Sequence, residues 1–155
     1  MRAQLLFAVL SVLIASAHMA YAGPAEHGAM EITEHTKIAD IIADPAFSGF
    51  GRLIFPLDTA YWRGDTLKDL HLTWYSPLVP ETSVEIIRYF KDQARQRQIF
   101  YRLYSDEEIR HDPAKKNVGL FFFKGKDGAK TAVCCAGGSV AYVGAMHDSF
   151  PHALD

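Results

Sequence analysis

A chain of 155 residues, 49% apolar and 22% charged, has the length and composition of one ordinary globular domain, which excludes a disordered or low-complexity protein. Sixteen basic against eighteen acidic residues leave a formal charge of −2, so electrostatics give no reason to expect nucleic acid or an anionic membrane as partner. The two cysteines, Cys134 and Cys135, exclude a disulfide framework, because strand neighbours point to opposite faces and a bond between them needs strained geometry.

Residues 1–22 carry the three parts of a secretory signal: Met1-Arg2, an apolar run from Leu5 to Ala15, and the small-residue site Ala20-Tyr21-Ala22. About eleven apolar residues fall short of the roughly twenty that span a bilayer, so cleavage before Gly23 is expected rather than a membrane anchor. The protein is then secreted or periplasmic, and removal of Arg2 lowers its formal charge from −2 to −3.

Residues 23–46 form a leader of mixed polarity. Thr33, Thr36, Ile38, Ile41 and Ile42 predict a short helix that stops near Asp44-Pro45. His27 and His35 have no partner at a metal-ligand spacing and are expected in solvent. No metal or cofactor is indicated anywhere in the chain.

From Phe47 to Pro80 the composition turns to aromatics, glycines and prolines without a regular period. Its rings, among them Phe47, Phe55, Trp62, Trp74 and Tyr75, could line a carbohydrate or acyl cleft. Irregular spacing more often marks rings that plug the side of a core. His71, between Leu70 and Leu72, reads as a packing histidine.

Thr82 and Glu85 have the spacing of a capping box at the start of a helix over Val84–Arg97, with Ile86, Ile87, Phe90 and Ala94 on one face. Lys91, Arg95 and Arg97 fall in its last turns, where cations complement the dipole. Ile99–Tyr104 and Val118–Phe123 read as strands, and Ser105–Pro113 as a polar connection with room for one helical turn. The acids Asp106, Glu107, Glu108 and Asp112 sit beside Arg110 and Lys115, the composition of a solvated loop rather than of an acid/base site. Lys124-Gly125-Lys126-Asp127-Gly128 is a turn.

The stretch Thr131–Ser149, T-A-V-C-C-A-G-G-S-V-A-Y-V-G-A-M-H-D-S, organises the rest. Thr131–Ala136 predicts a short central strand with Cys134 and Cys135 as small buried hydrophobes on its two faces. Gly137-Gly138 ends it and leaves backbone N–H groups to face an anion. Asp148 or Ser149 then caps a helix that carries Pro151 in its first turn.

Two strands, then a third that runs into a glycine loop and a helix, lie in the runs F-S-G-F-G-R-L-I-F-P, D-L-H-L-T-W-Y, G-L-F-F-F and C-A-G-G-S-V-A-Y-V-G-A-M-H-D-S-F-P-H-A. These resemble the N-terminal part of secreted α/β-hydrolases of the esterase/lipase type, from about Phe47 onward. The resemblance implies an α/β fold with the opening of a hydrolase sheet, three strands and flanking helices, over residues 47–155. It implies an oxyanion hole built from the backbone N–H groups of Gly137, Gly138 and Ser139, and a small ester as substrate. Ser139 stands where the family has a third glycine.

The family's nucleophile elbow, G-x-S-x-G, and the acid and histidine after it are expected downstream, beyond Asp155. Gly137-Gly138-Ser139-Val140-Ala141 resembles a degenerate elbow, with too little chain after it to supply an acid and a histidine. His147-Asp148-Ser149 are consecutive and cannot adopt triad geometry. The expectation is therefore the N-terminal part of a secreted carboxylic-ester hydrolase, inactive alone and free of catalytic residues of its own. A binding or interaction module derived from the same fold is the alternative. With the family's next strand absent, the apolar strand edges are a route to self-association.

Overall fold

The computed structural model describes residues 30–55, 60–73, 78–138 and 141–155. The signal sequence, most of the leader before Glu31, Trp74, Tyr75 and Ser139 lie outside the described residues. Among the described residues no helix is long and apolar enough to cross a membrane.

Helix α1, Ile38–Ala43, buries Ile38 and Ile41. Its first N–H is satisfied from outside the helix, Ile38 N donating to Asp65 O at 2.9 Å. It ends because Asp44, which precedes Pro45, is held at ψ 127. The Asp44 carboxylate then caps the 3₁₀ turn Pro45–Phe47 by accepting the Ala46 N–H at 2.9 Å.

The aromatic-rich segment has more order than its missing period predicts. A 3₁₀ turn at Gly51–Leu53 follows, and strands β1, Trp62–Arg63, and β2, His71–Leu72, pair antiparallel with Trp62 opposite Leu72. Between them Gly64 has φ +104, and a Cβ there would overlap the Asp69 carbonyl, so glycine alone fits. Residues of this turn reach back to the segment before α1, through Leu67 N to Thr36 O and Lys68 N to Glu34 O. Phe47, Ile54, Phe55, Leu67 and Leu70 are all buried, so Phe47 and Phe55 serve the core rather than a cleft.

Helix α2 runs over Pro80–Ala94 rather than Val84–Arg97. Pro80 has a pre-set φ and no N–H to leave unsatisfied at the first helical position, which moves the start ahead of the Thr82/Glu85 pair. The N-cap Val79 makes no side-chain hydrogen bond. Val84, Ile86, Ile87 and Phe90 are buried as the helical spacing predicts. Lys91, in the last turn as expected, is buried beside Asp44.

Strand β3, Phe100–Arg102, and strand β4, Gly119–Phe121, pair antiparallel with Tyr101 opposite Leu120. The connection holds a full helix, α3, Asp106–His111, begun by a capping box in which Ser105 and Glu108 exchange hydrogen bonds. Here the S-x-x-E spacing does set the helix start, because three acidic residues in the first turn complement the N-terminal dipole. One face of the β3/β4 pair meets α2 and a last helix, α4, Ser149–Leu154, through a ring cluster: Phe121 lies 5.3 Å from Phe90 and 5.0 Å from Phe150, and Phe50 stacks on Phe100 at 5.4 Å.

The described residues therefore combine helices with two small antiparallel sheets of two strands each, a mixed α/β character. The third strand expected at Thr131–Ala136 does not form: the segment lies outside any helix or strand, and Thr131–Cys135 are exposed. Cys134 and Cys135, expected to be buried, are free thiols in solvent. The physical reason is the lack of a ladder partner among the described residues. A strand needs a ladder partner for its N–H and C=O groups, and neither β3 nor β4 pairs with this segment.

Candidate functional site

Helix α4, Ser149–Leu154, closes the described chain, with Pro151 in its first turn as expected. Its inner face is anchored by Phe150, 4% exposed and set edge-on to Phe90 at 5.0 Å. Ahead of it a 3₁₀ turn, Ala145–His147, buries Ala145 and Met146. These apolar anchors fix the far end of the glycine loop, and four hydrogen bonds fix its shape.

The Gly137 N–H donates to Asp148 Oδ2 at 2.7 Å. The Gly137 carbonyl accepts the Gly144 N–H at 2.9 Å, the Gly138 carbonyl accepts the Ala141 N–H at 3.2 Å, and the Gly144 carbonyl accepts the His147 N–H at 3.3 Å. Gly138 has φ +118, and a Cβ on it would overlap the Tyr142 carbonyl oxygen. This is a backbone form open to glycine and costly to any other residue.

Of the three positions matched to an oxyanion hole, the structure describes two. The Gly137 N–H, expected to face a ligand, is engaged by a carboxylate of the chain itself. The Gly138 N–H has no hydrogen-bond partner among the described residues. Ser139 lies outside them.

Asp148 occupies the N-cap position of α4, yet its side chain makes no bond to that helix. The sequence offered it only as a cap, because a contact across eleven residues leaves no periodic signal. Ser149 is buried, and its Oγ has no hydrogen-bond partner among the described residues. His147, Asp148 and Ser149 therefore form no relay.

Tyr142 lies beside the loop, its ring 5.8 Å from Tyr61 and 6.0 Å from the His147 imidazole. Burial pushes the His147 pKa below the usual imidazole range, and the neighbouring Asp148 charge offsets only part of that shift. Comparison with protein-family models, with curated proteins and with solved structures finds no match.

No cluster of three metal-ligating side chains occurs among the described residues. His35 is exposed with its Nε2 3.2 Å from Glu34, and the Nδ1 of His71 lies 2.8 Å from the Asp69 carbonyl. Three acids of the α3 region cap helices or pair with cations: Glu108 with Ser105, Asp112 with the Ala114 N–H, Asp106 with Arg102 at 2.7 Å. A surface depression of about 360 Å³ lies at the start of α2, lined by Thr33, Glu34, Glu81, Val84, Glu85 and Arg88, and includes no residue of the glycine loop.

Proposed function

We propose that residues 47–155 are the N-terminal part of a secreted α/β-hydrolase that cleaves a small carboxylic ester, and that they supply its oxyanion loop. The observation that carries this reading is the loop itself. Gly138 is held at φ +118 between Gly137 and Tyr142, with an N–H that no described residue takes up. A fixed, unsatisfied amide is the group that stabilises the negative oxygen formed when an ester carbonyl is attacked.

The unpaired segment ahead of the loop supports the same reading. In the family this chain resembles, the strand before the oxyanion loop pairs with a strand later in the sequence, not with the one preceding it. Residues 131–136 have no ladder partner among the described residues, while β3 and β4 pair with each other. The nucleophile, acid and histidine are then contributed by polypeptide beyond these 155 residues, and the 155 residues alone do not turn over ester.

Two measurements test the proposal. Read downstream, the coding sequence should contain G-x-S-x-G followed by an acid and a histidine; a frame without them overturns the ester-hydrolase assignment. The 155-residue chain should hydrolyse p-nitrophenyl acetate no faster than its Ser139→Ala variant, whereas a serine-dependent burst would make Ser139 a nucleophile. Export rests on the signal-like residues 1–22, and the mass of the exported protein should correspond to a start at Gly23.

A further inference from the structure

The two glycines of the loop are required for different reasons, and the difference separates their amides. A Cβ on Gly137 would lie 2.9 Å from Asp148 Oδ2. Position 137 must be bare for the carboxylate to reach the backbone. Gly138 has a positive φ, and its Cβ site is filled by the Tyr142 carbonyl.

Both polar groups of Gly137 are occupied, its N–H by Asp148 at 2.7 Å and its C=O by Gly144 at 2.9 Å. The first is a charge-assisted bond, shorter than the usual amide to carbonyl distance. Gly138 uses only its carbonyl. Asp148 meanwhile leaves the N–H groups of its own helix uncapped, although an aspartate at an N-cap ordinarily accepts one of them.

We propose that Asp148 is the positioning residue of the glycine loop: its carboxylate fixes Gly137 so that the Gly138 N–H is the donor presented to an oxyanion. The role of Gly138 rests on the ester-hydrolase reading above; the Asp148 to Gly137 anchor does not. A carboxylate suits this task because it holds a backbone amide more strongly than a neutral acceptor does. Placed on Gly137 rather than Gly138, it leaves the adjacent amide free while restraining the backbone that aims it.

The test compares Asp148→Ala and Asp148→Asn with the unaltered chain by residue-resolved amide hydrogen exchange, with Ala129, whose N–H is bonded to Lys126 O in a separate turn, as internal control. Gly137 should exchange about tenfold faster in Asp148→Ala, the loss expected for a hydrogen bond to a charged group. Asp148→Asn keeps an acceptor oxygen and should fall between. Ala129 should not change.

Equal exchange at Gly137 in all three proteins overturns the anchor, and so does a parallel rise at Ala129, which signals general loosening. p-Nitrophenyl acetate turnover by the intact protein separates the two layers. A kcat lowered at least tenfold by Asp148→Ala with KM unchanged supports the role of Gly138, since an oxyanion donor acts on the transition state. Faster Gly137 exchange in an intact protein without any turnover leaves the anchor standing and overturns the oxyanion role. Turnover that Asp148→Ala leaves unchanged overturns the positioning role alone.

Discussion

Lys91 Nζ lies 2.7 Å from Asp44 Oδ2, with each side chain only 10% exposed, which ties the last turn of α2 to the end of α1. The pair is nearly removed from water, so deleting one partner leaves the other charge poorly solvated. Lys91→Met should destabilise by about 3 kcal/mol. Asp44→Ala should cost more, because Asp44 Oδ1 also takes the Ala46 N–H, while Asp44→Asn should retain that cap. Urea denaturation of the three variants checks the order, and equal losses for Asp44→Ala and Asp44→Asn would show that the cap contributes nothing.

Positions 138 and 128 both have positive φ, +118 and +79, but only Gly138 is crowded. Gly128→Ala meets open space and should cost roughly 1 kcal/mol, the strain of the backbone alone. Gly138→Ala adds a clash with the Tyr142 carbonyl and should cost clearly more, about 2–3 kcal/mol, or displace the loop. Thermal melting measures the first; loss of the Gly144 N–H to Gly137 O protection reveals the second.

His147 gives the stability a pH dependence of known sign. Its pKa in the fold is lowered by burial, so the unfolded chain binds more protons between the folded and the unfolded values. The contribution is fully present above the ordinary imidazole pKa and is lost as pH falls toward the folded one. Denaturation midpoints should therefore decline between pH 7.5 and 5, with a shallower decline in His147→Gln. An identical slope in that variant would assign the effect to other groups.

The β3/β4 pair is apolar on both sides. Phe100 and Phe121 face the ring cluster, while Tyr101, Leu103, Leu120 and Phe122 remain 38–64% exposed. Such a surface with free strand edges promotes association. Sedimentation at micromolar concentration should show oligomers, and Leu103→Glu with Leu120→Lys should shift the population toward monomer. A compact monomer of the unaltered chain would show that the exposed face is tolerated.

Local signals carried most of what was legible in the sequence. Ile38 and Ile41 marked α1, Ile86, Ile87 and Phe90 marked the buried side of α2, and the apolar runs around Phe100 and Phe121 marked β3 and β4. Each depends on residues that are neighbours within one element. The reading erred where a remote contact decides. Lys91 was legible as a cation in the last turn of a helix, but its burial against Asp44, far away in the chain, was not.

Thr131–Ala136 has the composition of a strand, yet composition cannot supply a ladder partner. Ser105 and Glu108 form the capping box that Thr82 and Glu85 do not, because Pro80 already fixes the start of α2. At the site, the glycines were legible as a loop. The carboxylate that holds Gly137 was not, since the Asp148 side chain departs from the helix whose start it marks.

The exposed run from Ala129 to Cys135 includes Lys130 and lies outside any helix or strand. Proteolytic nicking concentrates on exposed backbone of this kind, and cleavage there needs none of the ring cluster to unfold. In a compartment that contains proteases, the lifetime of the polypeptide is then governed less by the stability of its aromatic core than by how quickly residues 129–135 are covered.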